Sequence, residues 1–336
     1  MIEGNDLKCP KCGNRDWTKS RKFSSLFETS VGIIVDDKSK VYLRGEIAQG
    51  LFLSYKNILD SIRVKLPFGI AQQGKAFRNE ITKGQFTYRT LEFDLMEFEF
   101  FVREAEWEKW YNHWKGQTMD WFESLGIDNE NLRWRTHTED ELSHYSDRTE
   151  DVEYYFSFGW NEVGAVAYRT DFDLKNHMKH TDVDLSYRDQ STGEKFIPHV
   201  IEPTFGHSRI MTMLFNEAYT EEKLDNGKTR VVLKFDKKIA PVKIAVFPLQ
   251  KDDKLKARAR EIYEKLKEDY VCEFDDAGNI GKMYRRQDEI GTPYCVTVDF
   301  DSLEDESVTV RDRDTMEQER VKIPELKNYF GEKFSA

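Results

Sequence analysis

Arginines, carboxylates and a cysteine pair are the residues of this chain whose types and spacing could do chemistry. Arg78 sits in Phe77-Arg78-Asn79-Glu80, just past a strand-like stretch at 69–76. A polar turn, Thr82-Lys83-Gly84-Gln85, separates it from a second strand-like run at 86–102. The pattern predicts an antiparallel hairpin with Arg78 near the end of one arm and Arg89 on the other. Two guanidinium groups facing across a hairpin can clamp a polyphosphate, because each matches phosphate oxygens bidentately. The alternative is a surface ion-pair ladder, the usual use of such pairs.

The returning run breaks its own alternation. Leu91, Phe93 and Leu95 share one face, yet Glu97 and Glu99 continue it while Met96, Phe98 and Phe100 take the other. Spacing alone favours a β-bulge that switches the faces. Otherwise two carboxylates enter an apolar face and need partners there, a bound ammonium being one candidate. A further constellation spans 197–211: a β-prone run ending at Glu202-Pro203, a turn at Gly206, and a helix starting near Arg209. An arginine in the first turn opposes the helix dipole. It makes more sense if a phosphate arrives at that end; the alternative is a solvated helix start. Cys9-Pro-Lys-Cys12 reads as metal chemistry, whereas Cys272 and Cys295 lie in strand-like runs and read as small buried hydrophobes.

The elements that must position these residues fall into three regions. Residues 1–40 form a short cysteine-bearing entry. Residues 41–235 hold long aromatic-rich strand-like runs, with a helical insert at about 104–150 whose clearest helix is 104–125 and a loop-rich excursion at 171–190. From Ile239 onward, strand-like runs at 242–247, 270–274 and 294–300 alternate with helical stretches at 251–269 and 280–290, which predicts a compact α/β domain. The boundary is expected between Glu222 and Lys238, near Asp225-Asn226-Gly227, giving domains 1–235 and 236–336.

Composition bounds the possibilities. A chain of 336 residues predicts two domains, and 13% aromatics suffice to bury real cores. The net charge of −11 argues weakly against nucleic-acid binding, but an acidic protein can still carry a basic stripe, so RNA stays open. No apolar run approaches the ~20 residues of a membrane span. The start has no apolar signal segment, so the expected location is cytoplasmic, without a membrane partner.

Phe77-Arg78-Asn79-Glu80 with Glu92-Phe93 resembles motif 2 of the class II aminoacyl-tRNA synthetases, and 202–209 resembles their motif 3. Arg44-Gly45-Glu46-Ile47-Ala48-Gln49-Gly50 is similar to the Arg-Pro-Glu-Thr-Ala-Gln-Gly signature of the dimeric glycyl-tRNA synthetases. The likeness continues at 169–174, 278–282, 288–293 and 308–315. The resemblance implies an α/β (α+β) fold: an antiparallel catalytic sheet flanked by helices, then an α/β anticodon-binding domain. It implies ligation of glycine to tRNA(Gly) through a glycyl-adenylate, with ATP and Mg²⁺.

Carried over by position, Arg78, Glu80 and Arg209 would be catalytic. Arg78 and Glu80 would hold the α-phosphate and adenine edge, Phe93 would stack under adenine, and Arg209 would take the γ-phosphate. Asn79, Arg89, Thr90, Glu162 and Val163 would line the nucleotide. Glu46, Glu97 and Glu202 would surround the glycine ammonium with Thr204 beside the α-carbon, and at least one of these carboxylates should then have a raised pKa in the free protein. Lys282, Arg285 and Arg286 are candidate tRNA contacts; the alternative is a solvated helix face.

Four departures stand out: Gly45 and Ile47 in the signature, Leu91 for an arginine, Thr204 for a serine, and Glu162-Val163-Gly164-Ala165 for a more acidic run. Motif 1 would lie upstream of Cys9. The expectation is therefore a homodimer, or a complex with a separate N-terminal polypeptide, in which zinc at Cys9 and Cys12 is either absent or completed by another chain. The competing expectation is a non-catalytic RNA-binding or accessory protein on the same fold, or a fragment inactive without its N-terminal segment.

Overall fold

The computed structural model describes residues 8–16, 22–34, 36, 39–224 and 227–335. A small hairpin of β1 (Glu28–Ser30) and β2 (Lys40–Tyr42) leads to α1 (Ala48–Ser61). The hairpin of β3 (Phe68–Phe77) and β4 (Glu92–Val102) follows. Next come α2 (Trp107–Ser124), β5 (Leu132–Thr136), β6 (Arg148–Phe156), β7 (Gly159–Thr170) and α3 (Phe172–Thr181). A minor hairpin of β8 (Tyr187–Arg188) and β9 (Lys195–Phe196) precedes β10 (His199–Gly206) and α4 (His207–Ala218). Six strands form one antiparallel sheet in the order β3-β4-β10-β7-β6-β5.

The sheet is covered on both faces, which explains why β10, the middle of β6, and β7 from Val163 to Arg169 are mostly buried. On one face α1 and α3 pack through Leu51, Phe52, Tyr55 and Leu174 onto Ile70, Phe101 and Val200. On the other, the tryptophan-rich α2 packs through Trp107, Trp110, Tyr111 and Trp114 onto Phe100, Val166 and Ile201. The side chains of β4 thus alternate between these two faces with period two.

The hairpin of β11 (Tyr219–Lys223) and β12 (Thr229–Leu233) connects to the second unit. There β13 (Ile244–Pro248), β14 (Cys272–Phe274), β15 (Tyr294–Val298), β16 (Ser307–Asp312) and β17 (Gln318–Lys322) form a mixed sheet ordered β14-β13-β15-β16-β17. The β13 pairings with β14 and β15 are parallel, as the alternating strand and helix pattern predicts. Helices α5 (Asp253–Leu266) and α8 (Leu326–Ser335) cover one face and α6 (Ile280–Ile290) the other, while α7 (Ser302–Asp305) is a single turn. Asp252 caps α5 through the backbone N–H groups of Lys254 and Leu255, and Asn279 caps α6 through that of Lys282. Buried Arg230 of β12 ties the connecting hairpin to the second unit, donating to Asp288 at 2.9 Å and to the Arg313 carbonyl at 2.5 Å.

Several expectations need correction. The β3–β4 pairing runs without a shift from Phe68↔Phe101 to Phe77↔Glu92, so β4 carries no bulge and Glu97 and Glu99 do enter the buried face. Two bulges lie in β7 instead, one of them at Val163 against β6. At the other, Val200 pairs with Thr170 and Ile201 with Tyr168, leaving Arg169 as the extra residue. Residues 86–91 are loop: Gln85 and Phe86 have left-handed backbones, and Arg89 bridges back to Gly84. The excursion expected at 171–190 contains α3, which buries only Asp173 and Leu174 and so shows little apolar periodicity. The helical insert is α2 alone; β5, farther along, pairs at the sheet edge. Cys295 is buried and Cys272 half-buried, and burial pushes the Cys272 thiol up to about 12, as expected of packing residues. Asp225 and Asn226 of the expected boundary turn lie outside the described residues.

Candidate active site

The β3–β4 hairpin delivers the first group of polar side chains. Arg78 follows the last residue of β3, where its backbone N–H donates to the Leu91 carbonyl at 3.0 Å and its Nε to the Gly45 carbonyl at 2.9 Å. Its guanidinium lies over the Phe93 ring, 5.4 Å from the centroid. Arg89 does not face Arg78 as a free clamp; its Nη1 donates to Glu80 at 3.2 Å. Arg209 is the third residue of α4, just past the extended Gly206. It donates to the Glu162 carboxylate at 2.9 Å and stacks on Tyr88 at 4.7 Å, while the Tyr88 hydroxyl holds the Glu162 carbonyl at 2.7 Å. Burial works against the Arg209 charge, yet Glu162 and Tyr88 raise its pKa above the usual value.

One cavity gathers Arg78, Glu80, Arg89, Thr90, Phe93, Glu97, Glu162, Thr204 and Arg209, together with Tyr88 and Ser208, which sequence reasoning did not single out. Glu46 lines an adjoining recess with Gly45, Gln49 and Arg78. Three expected residues line neither: Glu202 is buried beneath, against Arg169, and two others stand apart. Asn79 turns away, its Nδ2 donating to the Ser24 carbonyl at 3.1 Å, and Val163 is wholly buried in the core behind.

Below the cavity floor lies a buried charge cluster. Arg169 donates through Nε and Nη2 to Asp173 at 2.8 and 2.9 Å, and through Nη1 to Glu202 at 2.9 Å. Its guanidinium is sandwiched by Tyr145 at 3.8 Å and Phe52 at 5.5 Å. Burial opposes this charge too, but Glu202 and Asp173 hold the group firmly cationic. Gln49 extends the network, its Nε2 donating to Glu46 at 3.3 Å and to Asp173 at 3.2 Å.

The carboxylates outnumber the cation. Burial first, then the charges of Glu202 and Glu46, pushes Glu97 up to about 8. Burial and Glu202 raise Glu99 well above the carboxylate range, and burial raises Glu202 despite Arg169. A site with excess buried carboxylate and an opening beside it suits a small cation. Arg169, Asp173 and Glu99 were not among the expected site residues. The i, i+4 spacing of Arg169 and Asp173 was the signal available for two of them.

The candidate tRNA contacts divide. Lys282 is exposed, but Arg285 donates to the Thr229 carbonyl at 3.0 Å, and Arg286 is pinned to Asp275 and to the Ala277 carbonyl at 2.6 Å. The latter two hold α6 against its neighbours. Cys9 and Cys12 share a tight turn in which the Gly13 N–H donates to the Cys9 carbonyl at 2.8 Å. Backbone N–H groups of Cys12 and Lys11 lower the Cys9 thiol pKa. Among the described residues no third His, Cys, Asp or Glu joins this pair.

Residues 27–218 match the family model described as the tRNA synthetase class II core domain (G, H, P, S and T), and residues 243–333 match the anticodon binding domain. The antiparallel sheet, the arginine-lined cavity and these matches define the chain as a class II aminoacyl-tRNA synthetase. The glycine–tRNA ligase of Ruminiclostridium cellulolyticum is 52% identical over 333 residues, covering 99% of this chain and 72% of the relative. That of Acetivibrio thermocellus is 53% identical with the same coverage. That of Geobacillus thermodenitrificans is 50% identical over 335 residues, covering 100% and 72%. The chain belongs to the glycine–tRNA ligase family.

Proposed function

We propose that the cavity activates glycine with ATP and passes the glycyl group to the 3′ end of tRNA(Gly). The observation that carries this reading is that Arg78, Glu80, Phe93 and Arg209 share one cavity with Glu97 and Thr204 at its inner end. Phe93 stacks under adenine, Glu80 accepts from the base edge, and the two arginines hold the α- and γ-phosphates. Glu46, Glu97 and Glu202 receive the glycine ammonium, which leaves its carboxylate pointed at the α-phosphorus.

The glycine carboxylate attacks in line, pyrophosphate leaves, and the terminal ribose hydroxyl of tRNA then attacks the adenylate. No covalent nucleophile from the protein is needed, since positioning and charge neutralisation carry such transfers. Mg²⁺ bound with ATP would neutralise phosphate charge, and Glu162, beside Arg209 in the cavity, would offer the hard oxygen donor it prefers. Every competing amino acid is larger than glycine, so Thr204 excludes them by size without a second editing site.

The second unit reads the anticodon, with Lys282 as the exposed contact on α6. We place the boundary between the two units at residues 235/236 and the site of action in the cytoplasm; among the described residues no helix is long and apolar enough to cross a membrane. Cys9 and Cys12 supply two of the four donors of a structural zinc site, so zinc is held only where a second pair completes the set. Assembly as a homodimer or with a separate polypeptide belongs to the same proposal. Glycine-dependent ATP–pyrophosphate exchange tests the reading. Exchange that needs glycine and is lost in Arg78→Ala supports it; tight ATP and tRNA binding without exchange identifies a binding protein instead.

A further inference from the structure

The pairing of β4 with β10 keeps one register from His199↔Val102 to Gly206↔Leu95, and that register sets Glu99 opposite Glu202. Side chains directly opposite on one face of an antiparallel pair have Cβ atoms about 4.5–5.5 Å apart, and like charges there are destabilising. Both residues are buried, Glu99 completely. Neither carboxylate oxygen of Glu99 receives a hydrogen bond from any described residue. The nearby guanidinium acts on Glu99 only through its charge and makes no hydrogen bond to it, because Arg169 directs Nε and Nη2 to Asp173 and Nη1 to Glu202.

Such a group is intolerable as an anion. An enclosed, unpaired carboxylate gives up its proton only at a large desolvation cost. As a carboxylic acid it becomes a donor, and Glu202 lies within its hydrogen-bonding reach. The groups facing Glu99 leave no other resolution. Glu97 shares its strand, Glu202 faces it from β10, Arg169 from β7 and Asp173 from α3, with Glu46 and Tyr55 on the side of α1 and Tyr145 over the guanidinium. Five carboxyl groups meet one permanent cation, and a bound ammonium would add only one more. Burial and the charge of Glu202 both act to keep the Glu99 proton in place.

We propose that Glu99 remains a neutral carboxylic acid through the whole reaction cycle and donates its O–H to Glu202. It is a positioning residue, fixing the Glu202 carboxylate in its ionised form and in the orientation that receives the substrate ammonium. This rests on the reading of Glu202 as a glycine ligand. Glu97 plays the contrasting part: it borders the open cavity and gives up its proton when the ammonium arrives, whereas Glu99 touches no substrate.

The test uses Glu99→Gln, Glu99→Leu and Glu202→Gln in the full chain, with glycine-dependent pyrophosphate exchange and difference infrared spectroscopy. Wild type minus Glu99→Gln should show the C=O stretch of a protonated carboxylic acid at neutral pH, with and without glycine. Glutamine keeps a neutral donor, so it should hold the glycine KM within about threefold, well short of the loss of a charged-group hydrogen bond. Leucine removes the donor and should raise that KM about ten- to hundredfold, with the ATP KM unmoved. A missing infrared band, or Gln as harmful as Leu, overturns the proposal. If Glu99→Leu does not fold, the band and the Glu99→Gln kinetics decide. Glu202→Gln with an unchanged glycine KM instead overturns the glycine-pocket reading, while the band still reports on Glu99.

Discussion

Arg169 donates to Glu202 at 2.9 Å in a place where both side chains are shut off from solvent. The guanidinium belongs to the extra residue of a β-bulge, so its strand does not dictate a cross-strand partner for it. Arg169→Met should leave Glu202 and Asp173 as uncompensated buried carboxylates. The expected loss is about 3–5 kcal/mol of stability, measured by urea unfolding, together with loss of glycine-dependent exchange. A loss below about 1 kcal/mol, the range of an exposed pair, would show that the cluster is solvated.

The glycine KM should depend on pH through Glu97. Burial and the neighbouring Glu202 and Glu46 hold this carboxyl up to about 8 in the free protein, against about 4.3 in an unfolded chain. Ammonium binding needs the ionised form, so the glycine KM should fall about tenfold per pH unit between about 6 and 8 and level off above. The ATP KM should stay flat. A glycine KM that does not move across this window refutes the assignment. Stability of the unliganded protein has its own sign: the folded state keeps a proton that the unfolded chain has released. The contribution of Glu97 is thus complete below about pH 4.3 and is lost as pH rises to about 8.

Arg209→Ala should reduce the rate of pyrophosphate exchange about 10²- to 10³-fold, the usual effect of removing one oriented charge donor from a transition state. Arg209→Lys should recover little, since an ammonium lacks the planar fork that reaches Glu162 while stacking on Tyr88. Full activity of the lysine variant would mean that only the charge matters.

Gly164 offers a test of the pocket wall from behind. A Cβ there would meet the Thr204 carbonyl at 2.8 Å and the Phe205 ring at 3.0 Å. Gly164→Ala must therefore displace β10, at a cost of about 1–3 kcal/mol, and should raise the glycine KM more than the ATP KM. Equal effects on both would place the displacement away from Thr204.

On α6 the three basic residues should behave differently. Lys282→Ala should weaken tRNA binding and reduce its salt dependence with no change in Tm. Arg285→Ala and Arg286→Ala should lower Tm first, because both hold backbone carbonyls of neighbouring segments. Thermal unfolding alongside filter binding separates the two outcomes.

Much of this was legible in the sequence, for reasons that differ by element. Helix α6 runs from Ile280 to Ile290 as expected because Asn279 caps its start and Gly291, with φ +83°, its end. Strands β13 and β15 are fully buried runs bounded by polar turns, and they read plainly, whereas β16 and β17 were not expected: β17 buries only Val321 and so lacks an apolar run. The nucleotide end of the site was legible through its ordered motifs. The buried cluster was not. Alternation in β4 showed two glutamates on an apolar face, but spacing could not tell a bulge from buried carboxylates. What resolves it is Arg169 and Asp173, whose contribution depends on tertiary contact with strands far away in the chain. Helix α3 escaped for the same reason, being held by that ion pair more than by an apolar stripe.

The uninterrupted pairing of β4 carries a consequence for how this gene can vary. Between Met96 and Phe100 its carboxyls and its aromatic rings occupy opposite sides of one ribbon, separated by a single residue step. An in-frame codon gained or lost between Leu95 and Glu99 would exchange the two sides at a stroke, sending phenylalanine toward the substrate and glutamate into the tryptophans of α2. Point substitution can explore this strand; insertion and deletion are closed to it.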